Sequence, residues 1–397
     1  ALFNLLVGWL PGGVAAATVL VCAFFTTFTG ASGVTILALG GLLLPILEGA
    51  GYSRKYAIGL LTASGSIGML FPPSLPVILY GVASHVPITD LFIAGIVPGM
   101  LLVSLLVGMS VVHALRHPNP KASKPISPLG GEFSVWFRET GRALWVAKFE
   151  AAMPLLVLAG IFGGFVTIFE AAALTAAYAF IIEVVIHRDL HITKDLPNVV
   201  AECTTLMGGV LIILGVALGF TNYLVDAEIP LMLSDWIASS VSNKYIFLLA
   251  LNVLLLLVGC LMDIYSAIIV VVPLIVPIAA VFGINPVHLG ILFLANLELG
   301  YLTPPVGLNL FLASFRFKIP LPQVYRLTMP FLGIMIVGVL LITYVPSMTT
   351  WGLDQSNVEE PASLFDEAEM QNLLEDDASE TVPDLDMDAI MRELEEG

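Results

Sequence analysis

Polar side chains stand beside adjacent prolines at two places in an otherwise apolar chain. Around GSIGMLFPPSLPVILYG, Gly65 to Gly81, Ser64, Ser66 and Ser74 flank Pro72 and Pro73; around LELGYLTPPVGLNLFLAS, Leu297 to Ser314, Asn296, Glu298, Thr303 and Asn309 flank Pro304 and Pro305. A proline has no N–H to donate and its ring crowds the carbonyl four residues back. Each pair therefore predicts a helix that stops, frees several peptide carbonyls and restarts. Carbonyl, hydroxyl and amide oxygens are neutral ligands suited to Na+, while the N-terminus of a restarted half-helix presents N–H groups to an anion. A lone proline reads better as a kink whose carbonyls neighbouring Ser and Thr cap; two double prolines favour a site. Glu298, two residues before Gly300, reads as a cation ligand or a proton site.

Two further stretches supply the same kinds of group. In FTGASGV, Phe28 to Val34, Gly30 and Gly33 allow a tight turn with exposed N–H groups, and Thr26, Thr27, Thr29 and Ser32 offer hydroxyls. In GCLMDIYSA, Gly259 to Ala267, Asp263 brings a charge that is costly inside a bilayer unless paired. Each reads as the tip of a helical hairpin.

The elements that must hold these groups are membrane helices. With 58% hydrophobic residues, 12% charged residues and a mean hydropathy of +0.97, most of the outer surface faces lipid. Apolar runs fall near 14–29, 34–48, 54–80, 90–114, 152–187, 199–225, 245–261, 264–282, 287–314 and 326–347. They do not alternate as the strands of a β-barrel would. Between them Arg116 to Lys148 reads as Pro-rich coil followed by an amphipathic surface helix. Glu170 stands before three alanines, where stabilising a helix N-terminus explains it as well as function does. Ala1 in place of Met predicts that the chain begins inside a longer protein.

Short loops with Arg54 and Lys55, with Arg116 to Lys148, with Arg188 and Lys194, and with Arg316, Lys318 and Arg326 are predicted cytoplasmic. Loop 226–243 and the turn at Gly283 to Pro286 are predicted outside. These placements hold together only if 14–48 and 245–282 are re-entrant hairpins.

A shift of 232 residues carries Pro45 onto Pro277, Gly51 onto Gly283, Gly68 onto Gly300, Pro72 and Pro73 onto Pro304 and Pro305, and Pro98 onto Pro330 without a gap. An odd number of passes between Arg54 and Pro286 turns the second copy upside down. Inverted repeats with interrupted helices are the mark of secondary transporters, which bind substrate and ions where the breaks meet.

GASGV…GYSRKYAIGLLTASGSIGMLFPPSLPVILYG together with MDIYSAIIVVVPLIVPIA…GINPVHLGILFLANLELGYLTPPVGLNLFLAS resembles the large membrane subunit of tripartite ATP-independent periplasmic (TRAP) transporters over residues 1 to about 350. The resemblance implies an all-α inverted-repeat elevator of the bacterial inner membrane, with two re-entrant hairpins and two unwound transmembrane helices. It implies Na+-coupled uptake of an organic acid, a C4-dicarboxylate, a sialic acid or another sugar acid. A periplasmic substrate-binding protein would deliver the substrate and a small four-helix membrane subunit would complete the carrier. Thr29, Gly30, Ser32 and Gly33 would then form the first tip; Ser64, Ser66, Gly68, Pro72 and Pro73 the first break; Asp263 and Ser266 the second tip; and Asn296, Glu298, Gly300, Thr303, Pro304, Pro305 and Gly307 the second break. Na+ would sit near Gly30, Ser32 and Gly68, and near Asp263, Gly300 and Thr303. Val34 stands where many members have a third tip residue with a hydroxyl.

The predicted organisation is a first repeat over 1–114, a connector over 115–148, scaffold helices over 149–243, a second repeat over 244–350 and an acidic tail over 351–397. From Asp354 onward sixteen acidic residues face Arg392 alone, so −15 of the net −16 lies in the tail, which reads as a solvated, disordered extension. No nucleic acid partner is expected. Cys22, Cys203 and Cys260 sit in apolar runs without a partner motif, and the six histidines are scattered, which argues against disulfides, metal sites and a membrane-embedded enzyme. A self-contained Na+/carboxylate symporter remains the alternative.

Overall fold

The computed structural model describes residues 11–117, 133–227, 232 and 243–353, all within one compact unit, Ala1–Asp354. The predictions for the coil after Arg116, for most of loop 226–243 and for the acidic tail lie outside the described residues. Among those described, the chain is all-helical. In order, α1 is Gly13–Thr29, α2 Ser32–Gly49, α3 Arg54–Ser64, α4 Leu75–Ser84, α5 Ile88–Arg116, α6 Phe133–Val146 and α7 Lys148–Phe162. Then follow α8 Ile168–Phe180, α9 Leu196–Asp226, α10 Lys244–Leu261, α11 Ile264–Val281, α12 Pro286–Gly300, α13 Leu308–Phe317, α14 Leu321–Tyr344 and the short α15 Ser347–Thr350. Six helices are long and apolar enough to cross a membrane, counting α8 with the π-helical turn Ile181–Ile186 that extends it.

Side chains that satisfy the first N–H groups set several helix starts. Ser53 accepts from the Tyr56 N–H ahead of α3, and Asn285, its counterpart 232 residues on, accepts from Val287 and His288 ahead of α12. Thr167 and Glu170 form a capping box at α8, so Glu170 has the helix-stabilising role.

The repeat seen in the sequence is a repeat of elements. The shift of 232 carries the bounds of α2 onto those of α11, and the first residue of α3 onto the first of α12. The copies interlock crosswise: α2 packs on α13 and α11 on α4, while α3 packs on α14 and α12 on α5. The helices that carry the breaks lie at the centre. Every residue of α12 from Val287 to Gly300 is buried, as is α3 from Ala57 to Ser64. α7 and α8 pack on each other and present Leu155 and Phe169 outward, as lipid-facing helices do.

Candidate functional site

Both double-proline stretches interrupt a helix, though not symmetrically. In the first copy α3 ends at Ser64 and a 3-10 turn, Ile67–Leu70, intervenes before α4, with the halves bent by 46°. In the second copy the α-helix runs on to Gly300, and residues 301–307 bridge to α13. Gly307, at φ +46, makes that last turn and donates its N–H to the Cys260 carbonyl at the end of α10, 3.1 Å away. Both Pro-Pro peptide bonds are cis.

Each break leans on the first helix of its own copy's hairpin, and one glycine makes the approach possible. A Cβ on Gly68 would lie 2.1 Å from the Ala23 carbonyl oxygen of α1. At the repeat-equivalent Gly300 it would lie 2.5 Å from the Gly259 backbone of α10. Backbone-to-backbone packing of this kind needs small residues on both sides.

Some of the carbonyls that the breaks open do find partners. Thr26 and Thr27 of α1 donate to the carbonyls of Gly65 at 2.9 Å and Gly68 at 3.1 Å. The Gly300 and Tyr301 carbonyls accept from the N–H groups of Thr303 and Asn309, and the Tyr325 hydroxyl donates to the Pro305 carbonyl. The close approach of α1 brings hydroxyls within reach of the opened turn, and a membrane interior leaves backbone groups little choice but to pair.

Unpaired polarity resides instead in side chains. Ser32, Ser66, Ser74, Asn296, Glu298 and Asn309 are each at most 2% exposed. The three serine hydroxyls, the Asn296 Oδ1 and both polar atoms of Glu298 and of Asn309 close no hydrogen bond. The 232-residue shift pairs Ser64 with Asn296 and Ser66 with Glu298. The Glu298 carboxylate faces the backbone of Leu70 in the other copy's break. Buried polar atoms are seldom left unmatched. Here the excess is of oxygen acceptors, the kind of atom that suits a hard monovalent cation.

The two tips meet. The Tyr265 hydroxyl donates to the Gly30 carbonyl at 3.0 Å, and the Ile264 N–H donates to the Tyr301 hydroxyl at 2.6 Å, tying the second tip to the first tip and to the second break. Gly30 closes α1 at φ +62, a conformation easy only for glycine. Between the tips lies a cavity of about 270 Å3 lined by Gly30, Ser32, Gly33, Met69, Asp263, Tyr265 and Tyr301 among others. Asp263 is exposed and caps α11, accepting from the Tyr265 and Ser266 N–H groups and, at 2.6 Å, from the Ser266 hydroxyl.

Of the residues singled out in the sequence, Gly30, Ser32, Gly33 and Asp263 therefore line one cavity. Thr29 makes only long contacts of 3.4 and 3.5 Å to nearby carbonyls. Ser64 bonds back to the Leu60 carbonyl of its own helix, and Thr303, in the bridge, to the Leu299 carbonyl of the preceding helix. Asn296 donates to Asn252 of α10 at 2.6 Å, and Thr343 of α14 donates to the same Asn252 oxygen at 3.1 Å. Asn252, Thr343, Tyr265 and Tyr301 went unread in the sequence. A lone amide in the run Lys244–Leu261 is the one visible signal. Among the described residues, one group of metal-ligating side chains comes within 4.8 Å, Glu183, His187 and Asp189 at the far end of the α8 extension. So the histidines are not all isolated.

The profile of the family described as "Tripartite ATP-independent periplasmic transporter, DctM component" matches residues 1–348. The isethionate TRAP transporter permease protein DctMQ of Oleidesulfovibrio alaskensis is 34% identical over 346 residues, covering 86% of this chain and 52% of that protein. The C4-dicarboxylate TRAP transporter large permease protein DctM of Vibrio cholerae is 32% identical, covering 87% of this chain and 78% of its own length. The sialic acid TRAP transporter large permease protein SiaM of the same organism is 30% identical, with 87% and 78% covered.

Proposed function

The chain belongs to the DctM component family of tripartite ATP-independent periplasmic transporters, multi-pass proteins of the inner membrane; on that premise we propose that it takes up an organic acid anion by Na+ symport. The observation that carries this reading is the pair of buried, unmatched side chains at repeat-equivalent places, Ser66 and Glu298, together with Ser32, whose unmatched hydroxyl belongs to the cavity where the two tips meet. A buried carboxylate without a partner demands a cation or a proton. Placed between half-helices, it suits a coupling ion whose release accompanies that of the anion.

In this reading α1 with α2 and α10 with α11 are re-entrant hairpins, and α3–α4 and α12–α13 are the unwound transmembrane helices of an inverted repeat. The four move as one body against the remaining helices, an elevator. Ser32, Ser66, Glu298 and Asn309 supply oxygen ligands to Na+. Gly30, Ser32 and Gly33 offer small, polar walls to the anion. Among the described residues no lysine or arginine lines the cavity between the tips, so bound Na+ and N–H dipoles neutralise the substrate. The names of the relatives support an acid as substrate and leave its kind open: a sulfonate, a dicarboxylate and a sugar acid all occur. A periplasmic binding protein brings it, and a small membrane subunit completes the carrier.

Reconstitution in proteoliposomes tests this. Uptake is expected only with a Na+ gradient and only with the cognate binding protein. Equal uptake in K+ with a pH gradient overturns the Na+ coupling. Full uptake without the binding protein makes the chain a self-contained Na+/carboxylate symporter.

A further inference from the structure

Where α13 packs on α2, a second cavity of about 600 Å3 opens, lined by Leu37, Ser314, Phe315, Arg316 and Lys318 among others. The Arg316 side chain lies across the pair Gly40 and Gly41. A Cβ on Gly41 would come within 1.7 Å of an Arg316 terminal nitrogen, so a bare stretch of helix seats the guanidinium. Among the described residues neither Arg316 nor Lys318 has a carboxylate within ion-pair distance; the arginine that does is Arg54, 3.1 Å from Glu48. The Ser314 hydroxyl is given to the Ile319 carbonyl at 2.7 Å, so the two cations dominate the floor of the cavity.

The walls have the opposite character. Phe315 is 75% exposed and Leu37 is 37% exposed, apolar surface turned away from the core in a chain whose surroundings are acyl chains. The shift of 232 places Pro273 and Ser84 where this corner has Gly41 and Arg316, so the repeat-equivalent corner has neither the glycine seat nor the cation. The pair of charges thus belongs to one end of the repeat, the end whose basic loop marks the cytoplasmic face.

We propose that this cavity is a binding site for an anionic phospholipid, its phosphate held by Arg316 and Lys318 over the Gly40 and Gly41 notch and its acyl chains laid along Phe315 and Leu37. A soluble anion would use the cations and leave the apolar walls idle. The site adjoins the region between the tips, because Leu37 lines both cavities.

The test uses the full chain purified in detergent, offered equal amounts of phosphatidylglycerol and phosphatidylcholine, with bound lipid counted by native mass spectrometry. Two basic contacts predict a preference for phosphatidylglycerol of about tenfold or more. R316Q/K318Q is expected to abolish the preference, as is G41L, which keeps both charges and fills the seat. R326Q, which alters a basic residue of the following helix α14 outside the cavity's lining, is expected to retain it. No preference in the unmodified chain, an unchanged preference in R316Q/K318Q, or loss in R326Q as well overturns the proposal. Displacement of phosphatidylglycerol by millimolar inorganic phosphate would make the occupant a soluble anion and overturn the lipid.

Discussion

The Tyr265 hydroxyl donates to the Gly30 carbonyl at 3.0 Å, a bond between the starting turn of one hairpin's second helix and the closing turn of the other hairpin's first. It links the two tips directly, and it borders the cavity proposed to hold the substrate.

Removing that hydroxyl while keeping the ring isolates the link. A neutral hydrogen bond contributes about 1 kcal/mol net, so Tyr265→Phe should shift the ratio of joined to parted tips by roughly fivefold. Spin labels on the two tips should report a broader distance distribution, and uptake should fall by a similar factor with little change in thermal stability. Distances and uptake like those of the unmodified chain would show that the tips do not depend on this bond.

Glu298 and Ser66 occupy equivalent positions in the two copies, and both end in unmatched buried oxygens. Glu298→Gln keeps the volume and removes the charge. The Na+ concentration giving half-maximal uptake should rise roughly tenfold, the order expected for losing a charged contact, with a smaller rise for Ser66→Ala. An unaltered Na+ dependence in both variants would remove the pair from the ion site.

Gly68 and Gly300 let the breaks touch the hairpins, whereas Gly108 of α5 has open space where a Cβ would go. Gly68→Ala and Gly300→Ala should each destabilise by about 1–3 kcal/mol, the range for overpacking. Gly108→Ala should be neutral or slightly stabilising. Thermal unfolding in detergent checks the contrast, and equal melting temperatures for all three would mean that the breaks yield without cost.

Ser53 and Asn285 begin repeat-equivalent helices, and inversion of the second copy would put them on opposite faces of the membrane. In a chain cleared of Cys22, Cys203 and Cys260, Asn285→Cys should react with an impermeant thiol reagent from the periplasmic side and Ser53→Cys should not. Each substitution gives up a helix cap worth about 1 kcal/mol, a tolerable loss. Labelling of both from one side would make the repeat parallel and remove the basis for an elevator.

The membrane class, the helix positions, the 232-residue repeat and the two interruptions were legible in the chain itself, because each has a local cause. Apolar length sets a membrane helix, a missing N–H stops one, and Ser53, Asn285 and Asp263 cap the next turn wherever they fall. What no local cause contains is which group meets which across the fold. The sequence alone left the break carbonyls free, and only the approach of α1 pairs Gly65 with Thr26, 39 residues away. Asn296 looked like a ligand on its helix, and only the fold shows that its amide N–H reaches Asn252, 44 residues earlier on α10, while its oxygen stays unmatched. Asp263 looked like a buried charge and is an exposed cap. Tyr265 carries no signal of its own in the sequence, because its partner Gly30 stands 235 residues earlier and meets it only when the two copies interlock.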